Sequence, residues 1–300
     1  MPAHPLLPSP TSSVAPPFPS PSAGAQQATA AENGRFLALV WIAGALALRA
    51  LSASETPLGN GEAYYYAWSR FLSLSYYDHP PLIAWLVWVT TDLFGGSTFA
   101  VRLGPVIASG VFGYLVYKIG ERLYGPRAGF FSLVLVSGLP VFLASSMLVN
   151  PEAPLAPLWA GYLLVVDRMR SEDDASLPLL AGGLLGAAIL AKYTALLLVP
   201  GTFAYVAFSA RGRRWLRRPS FYAGGAIALL VASPVIAWNA ARGWPSLALH
   251  FVERAGATPV AGENAVNQLV EAGSSAGSAL GASVLRVATG QLMAYSPLLV

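Results

Sequence analysis

Apolar residues gather in long blocks separated by short polar breaks. A helix crossing the hydrocarbon core needs about 20 mostly apolar residues, within a range of roughly 17–25. Blocks of this kind occupy 36–53, 100–118, 128–148, 153–167, 177–191, 194–210, 220–238 and 282–300, which predicts about eight spans. Several are short, so thin or kinked helices are expected. The pattern is that of an all-α, polytopic integral membrane protein. The last block (QLMAYSPLLV at its end) has no polar closing flank, so the chain is expected to be incomplete at its C-terminus. One further run, 82–96 (LIAWLVWVTTDLFGG), follows Pro80-Pro81 and contains Asp92. It either spans or lies in the interface, with its tryptophans at headgroup level.

Charge separates these two topologies. Cytoplasmic loops collect Lys and Arg. The basic clusters are Lys118, Arg122 and Arg127, then Arg168 and Arg170, then Arg211, Arg213, Arg214, Arg217 and Arg218. If 82–96 is interfacial, all of them share one side with Arg35; if it spans, they face the other side while Arg35 stays inside. The first arrangement is preferred. Residues 53–99 then form one outer segment with two interfacial helices. The other outer segments are short turns at 149–152 and 192–193 and a long loop at 239–281.

Composition narrows the class further. The chain is 55% hydrophobic and 11% charged, against about 25% charged in an ordinary soluble domain, which excludes a soluble core of this size. There is no cysteine, which excludes disulfides and thiolate-bound metals. Residues 1–35 are rich in Pro, Ser and Ala and lack the basic region of a signal peptide. They are expected to form a disordered cytoplasmic tail, followed by a membrane domain over 36–300.

The polar residues that carry chemistry fall on the side opposite the basic loops. Residues 59–85 (GNGEAYYYAWSRFLSLSYYDHPPLIAW) hold Glu62, Asp78 and His79 among Tyr64, Tyr65, Tyr66, Trp68, Tyr76 and Tyr77. An interfacial aromatic belt explains the rings equally well, and a helix N-terminus explains Glu62. Aromatic faces with carboxylates also suit a sugar. Glu152 sits in LVNPEAPLAP, where an outward span turns back. Facing lipid would be costly there, so it is expected to face a cavity; a solvated turn is the plain alternative. Lys192 interrupts about 30 apolar residues in ILAKYTALLL. It either snorkels to the interface or binds a phosphate, and the same two readings apply to Arg102 and Arg286. Asn239 ends a span on the outer side, and His250, Glu253 and Arg254 follow on an amphipathic stretch.

The string GEAYYYAWSRFLSLSYYDHPPLIAWL resembles the first outer loop of bacterial glycosyltransferases related to dolichyl-phosphate-mannose protein mannosyltransferases (glycosyltransferase family 39), which include the lipid A aminoarabinose transferases. The resemblance continues through RLYGPRAG, NPEAPLAPLWA, AKYTALLLVPG, SPVIAWNAARGWPS and GQLMAYSPLLV, and so covers 36–300 in order. It implies the membrane C-type glycosyltransferase fold and a location in the bacterial inner membrane with the active site facing the periplasm. It also implies sugar transfer from a polyprenyl-phosphate donor to a lipid, glycan or protein acceptor, with the transferred unit a hexose or pentose. Membrane lipids are expected neighbours, and nucleic acid is not an expected partner. Where the family usually reads Asp-Glu-Ala-Tyr-Tyr, this chain reads Gly61-Glu62-Ala63-Tyr64-Tyr65, so the family's presumed catalytic Asp is missing and Glu62 is its candidate substitute. The resemblance places Glu152 at the acid of a second motif, and Asp78 and His79 at an acid and a basic residue before Pro-Pro. It places Lys192 at a lysine that holds the carrier phosphate. Arg102, Tyr64, Tyr65 and Asn239 are further candidates for the carrier phosphate or sugar. A carboxylate would take the acceptor proton in an inverting displacement, and a cation would stabilise the departing lipid phosphate. Glu62, Asp78 and Glu152 would together suit a hard divalent cation such as Mg, Mn or Zn. The competing readings are a transporter or flippase of a lipid-linked substrate, with polar residues at mid-membrane, and a catalytically impaired relative that binds the carrier lipid.

Overall fold

The structure, a computed structural model, describes residues 21–249. The expected span 282–300 and the candidates His250, Glu253, Arg254 and Arg286 lie outside the described residues. Within them the chain is helical, with no strand.

Helix α1 runs Pro21–Ala53, well beyond the block 36–53. Residues 21–35, part of the tail expected over 1–35, lie in this helix. Their Ala, Gln and Glu side chains are good helix formers, and the apolar block downstream supplies a formed helix to extend. Two short helices follow, α2 (Asn60–Arg70) and α3 (Leu82–Phe94). At 1.5 Å per residue α3 is only about 20 Å long, too short for a hydrocarbon core of about 30 Å. Helix α4 (Thr98–Tyr124) is the longest of the later elements. Helices α5 (Pro126–Gly138) and α6 (Pro140–Met147) are bent by 74° at Leu139, which is extended because a proline follows it. Helices α7 (Glu152–Ser171) and α8 (Ser176–Ala191) form a hairpin. A 3-10 turn over Tyr193–Leu197 leads into α9 (Leu198–Phe208), and α10 (Ala210–Arg213) leaves that direction by 95°. Helix α11 (Pro219–Ala240) and the short α12 (Pro245–Leu247) complete the described chain.

By length and apolarity, residues 31–53, α4 and α11 can each cross a membrane, and the count reaches five if each bent pair is one span. The pattern along the chain predicted seven blocks in this region. The difference lies in α7, which ends in Asp167, Arg168 and Arg170, and in α8, which has only 16 residues.

Helix α4 packs against α1, α5 and α7, and α8 lies between α7 and α11. The α8–α11 contact is backbone to backbone. A Cβ on Gly182 would stand 1.9 Å from the Gly224 carbonyl oxygen, and one on Gly224 would stand 2.2 Å from the Pro178 carbonyl. Membrane helices approach this closely only through small residues.

The basic clusters meet at one end of this bundle. Arg35 faces Glu121 at 3.7 Å, Arg122 pairs with Asp167 at 2.6 Å and Glu172 at 3.0 Å, and Arg218 pairs with Asp173 at 2.6 Å. Trp215, fully buried, is flanked by the Arg214 and Arg218 guanidinium groups and donates to Met169 O at 3.1 Å. Arg35 and all three loop clusters thus share one end, as expected if α3 is interfacial. The opposite end carries α2, α3 and the breaks at 148–151 and 192–193.

Candidate functional site

At that opposite end, Glu62 is the third residue of α2, and its carboxylate reaches back to Gly59 N at 2.9 Å. It does much more than cap. Arg102 of α4 grips it with two bonds, Nε to Oε1 at 2.8 Å and Nη2 to Oε2 at 2.7 Å, and Val149 N donates to Oε1 at 3.2 Å. The remaining Arg102 donors reach Ala53 O, Thr56 O, Thr56 Oγ1 and Pro57 O at 2.9–3.0 Å. One buried ion pair therefore ties the end of α1, the start of α2, the start of α4 and the 148–151 turn. Burial pushes the Glu62 carboxyl up, but hydrogen bonds from Arg102, Gly59 and Val149 prevail and hold it below the usual carboxylate range. The expected roles of Glu62 as proton acceptor and Arg102 as phosphate ligand both meet the same obstacle: their polar atoms are already engaged with each other and with backbone.

Asp78 stands in the turn before Pro80-Pro81, closed by Tyr76 N donating to His79 O at 3.2 Å. It accepts from Tyr64 Oη at 3.2 Å. Burial, then the charge of Asp78, push the Tyr64 phenol up to about 12, so it remains a donor at neutral pH. Around them Trp68 stacks on Tyr76 (centroids 4.0 Å, planes 4° apart), with Tyr64 at 4.6 Å and Tyr65 at 5.3 Å from Trp68. His79 lies 6.1 Å from the Tyr65 ring. The aromatic run is thus a wall of mutually packed rings along α2, with Asp78 and Tyr64 at its edge.

Glu152 begins α7 and pairs with Lys192, the extended residue between α8 and the 3-10 turn. Lys192 was expected to stand alone between two apolar spans; its ammonium has a carboxylate partner 40 residues away. The Glu152 side chain remains 46% exposed and that of Lys192 25%, so this pair, unlike Glu62–Arg102, is open to a ligand. Next to Lys192, the Tyr193 hydroxyl lies 3.5 Å from Ser75 Oγ and accepts from Asn239 Nδ2 at 3.3 Å. Asn239 itself is buried, with its amide also bonded to Val235 O and Ser246 N. It acts as a strut joining α11 to the outer turns, and its donors and acceptor are spent within the protein.

Among the described residues no three His, Asp or Glu side chains come together to hold a metal. Glu62, Asp78 and Glu152 share one end but each has its own partner, so the expected divalent-cation trio is not assembled and no step below passes through a metal. The sequence reading passed over Arg49, 9% exposed on α1 one helical turn before Ala53, whose Nε has no hydrogen-bond partner among the described residues. An arginine inside an apolar block was the available signal. It also passed over Tyr193 and Ser75, ordinary residues until the fold brings them together.

Comparison with known proteins places this geometry. Residues 78–238, more than half of the chain, match the family model described as dolichyl-phosphate-mannose-protein mannosyltransferase. A lipid A galacturonosyltransferase, RgtD, of Rhizobium johnstonii is 31% identical over 180 residues, which is 59% of this chain and 37% of the relative. An undecaprenyl phosphate-alpha-4-amino-4-deoxy-L-arabinose arabinosyl transferase of Pseudomonas savastanoi pv. phaseolicola is 29% identical over 97 residues, 32% of this chain and 18% of that one. The crystal structure of ArnT from Cupriavidus metallidurans bound to undecaprenyl phosphate superposes with a TM-score of 0.60 at 19% identity, over 71% of this chain and 43% of that one. The chain spans less than half the length of these relatives. The matched segment contains Asp78, Glu152 and Lys192, and the fold is shared with ArnT: this chain is a polytopic, all-helical member of the dolichyl-phosphate-mannose-protein mannosyltransferase family.

Proposed function

We propose that the protein takes part in transferring a sugar from a polyprenyl-phosphate donor to an acceptor at the membrane face that carries Glu152 and Lys192. The observation that carries this reading is that pair: a partly exposed lysine and a partly exposed glutamate at a helix break, on the end opposite the basic loops. A departing lipid phosphate develops charge that a lysine ammonium stabilises as a point charge with three donors. When phosphate takes the ammonium, Glu152 is released as a carboxylate beside the reacting centre, where it can accept the acceptor proton. Asp78, held by Tyr64, and the α2 rings supply a polar and aromatic surface for the sugar. Glu62 and Arg102 hold this surface in place. A polar end, in contrast to a polar mid-membrane track, favours an interfacial enzyme over a transporter. With basic loops on the cytoplasmic side, the site faces the periplasm. The description of RgtD as a lipid A galacturonosyltransferase favours a lipid acceptor.

Lys192→Met, made in the full-length protein, tests this. It keeps the stem and removes the charge, and the expected result is loss of carrier binding and transfer with the fold retained, whereas Lys192→Arg keeps part of the activity. Carrier affinity and turnover both within about twofold of wild type, less than roughly 0.5 kcal/mol, would leave Lys192 as an interfacial anchor only.

A further inference from the structure

Beside the site, and outside it, is a cavity of about 470 Å³ between the 72–74 loop, the start of α3 and the end of α11. Leu72, Leu74, Trp85, Trp238 and Ala241 form its apolar walls, and Arg242 stands among them. That volume is typical of a site for a small ligand or part of a larger one. Arg242 is held over the Trp238 ring, 4.6 Å from its centroid, and reaches Trp238 O at 3.5 Å. Among the described residues it has no carboxylate partner. The turn that carries it is built at a conformational cost. Gly243 and Trp244 both have positive φ, 73° and 62°, and a tryptophan rarely occupies that region. The turn is pinned by Asn239, whose carbonyl oxygen accepts from Trp244 N at 2.9 Å and whose side chain accepts from Ser246 N at 3.2 Å. Those two bonds hold Trp244 in its left-handed conformation and so fix the position of Arg242. Of the lining, Leu72 and Leu74 are exposed apolar residues.

We propose that this cavity is a lipid subsite that takes one chain of an anionic acyl lipid, with Arg242 on the lipid phosphate. The apolar walls suit a chain, a guanidinium with no carboxylate partner among the described residues suits a phosphate, and the exposed apolar leucines suit entry from the membrane. The volume admits one chain segment and not a whole multi-chain lipid. On the transfer reading above, and resting on it, this lipid is the acceptor. Donor and acceptor would then lie side by side, since Asn239 bonds both to the Arg242 turn and to Tyr193, the neighbour of Lys192.

Binding and turnover separate the two readings. The full-length protein is placed in phosphatidylcholine nanodiscs containing phosphatidylglycerol, and retained lipid is measured by native mass spectrometry. The expected result is selective retention of phosphatidylglycerol, reduced about tenfold by Arg242→Gln, partly kept by Arg242→Lys and abolished by Ala241→Trp, which fills the cavity. In a transfer assay Arg242→Gln should raise the KM for the acceptor lipid and leave that for the polyprenyl donor unchanged. Unchanged retention in folded Arg242→Gln and Ala241→Trp variants would overturn the subsite. So would displacement of phosphatidylglycerol by undecaprenyl phosphate, which would make the cavity a carrier site. Selective retention without any transfer activity would overturn the transfer reading alone.

Discussion

Glu62 and Arg102 are each almost completely buried and saturated with hydrogen bonds, so their substitution reports on the fold before it reports on chemistry. Removing one partner of a buried pair costs about 3–5 kcal/mol, because the other is left charged and uncompensated. Glu62→Gln and Arg102→Met are each expected to lower the melting temperature of the detergent-purified protein sharply. Glu62→Met combined with Arg102→Met should cost less than the sum of the two singles. The pH dependence has a defined sign. The folded Glu62 carboxyl binds its proton less readily than in the unfolded chain, so its stabilisation is complete above the ordinary carboxylate range of about 4.3. It is lost as pH falls through the depressed folded value. Melting temperatures of wild type and Glu62→Gln should therefore converge in acid and separate at neutral pH. Gly61 is the opposite case: it is exposed, and a Cβ there meets nothing within 4 Å. Gly61→Asp restores the carboxylate usual in the family and adds a first-turn acid to α2, favoured by about 0.3–1 kcal/mol. It should fold at least as well as wild type in a thermal scan, and a turnover assay would show whether the carboxylate was limiting. Both positions were visible in the sequence as one motif, Gly61-Glu62. Which position faces open space and which is sealed was not, because that depends on Arg102, 40 residues away.

At the scale of elements, the α8–α11 contact is set by Gly182 and Gly224. Gly182→Ala would drive a methyl into the Gly224 carbonyl, and relief requires the helices to separate. Overpacking of this kind typically costs about 1–3 kcal/mol. Because Tyr193 follows closely on the end of α8 and Asn239 lies in the last turn of α11, the shift should also disturb the Tyr193–Asn239 bond. We expect Gly182→Ala to lower both melting temperature and carrier binding, whereas Gly183→Ala, whose Cβ meets nothing within 4 Å, changes neither by a measurable amount. The α5–α6 and α9–α10 bends belong to this scale too. Apolar blocks 128–148 and 194–210 looked continuous by composition, but Pro140 and the Ser209 cap break their course.

For the whole molecule, the structure separates an end of basic loops and acidic partners from an end of aromatic, carboxylate and lysine groups. A single topological test follows. The chain has no native cysteine, so cysteines introduced at 214 and at 78 report sidedness without background. In intact cells an impermeant thiol reagent is expected to label position 78 and spare 214. Labelling at 214 would invert the map and with it the proposed periplasmic placement of Lys192 and Glu152.

The sequence by itself determined the helical membrane architecture, the gathering of Arg35 and the basic loop clusters at one end, and the family. The first two follow from block length and from the distribution of Lys and Arg, properties that add up locally along the chain and need no knowledge of contacts; the family follows from the resemblance of several motif strings in order, among them NPEAPLAPLWA and SPVIAWNAARGWPS. It also picked out Glu152, Lys192 and Asp78 as residues of interest, because a charge amid apolar residues is costly wherever it sits. Only the tertiary structure decided how those charges are compensated. Glu152 neutralises Lys192, Tyr64 holds Asp78, and Arg102 removes Glu62 from reach, each across 14 to 40 residues. The helical stretch at 21–35, the exposed and strained turn at Arg242 and the close α8–α11 approach were likewise hidden. Pairing and packing depend on distances in space, and the same residue types in the same order are compatible with many sets of partners until the helices dock.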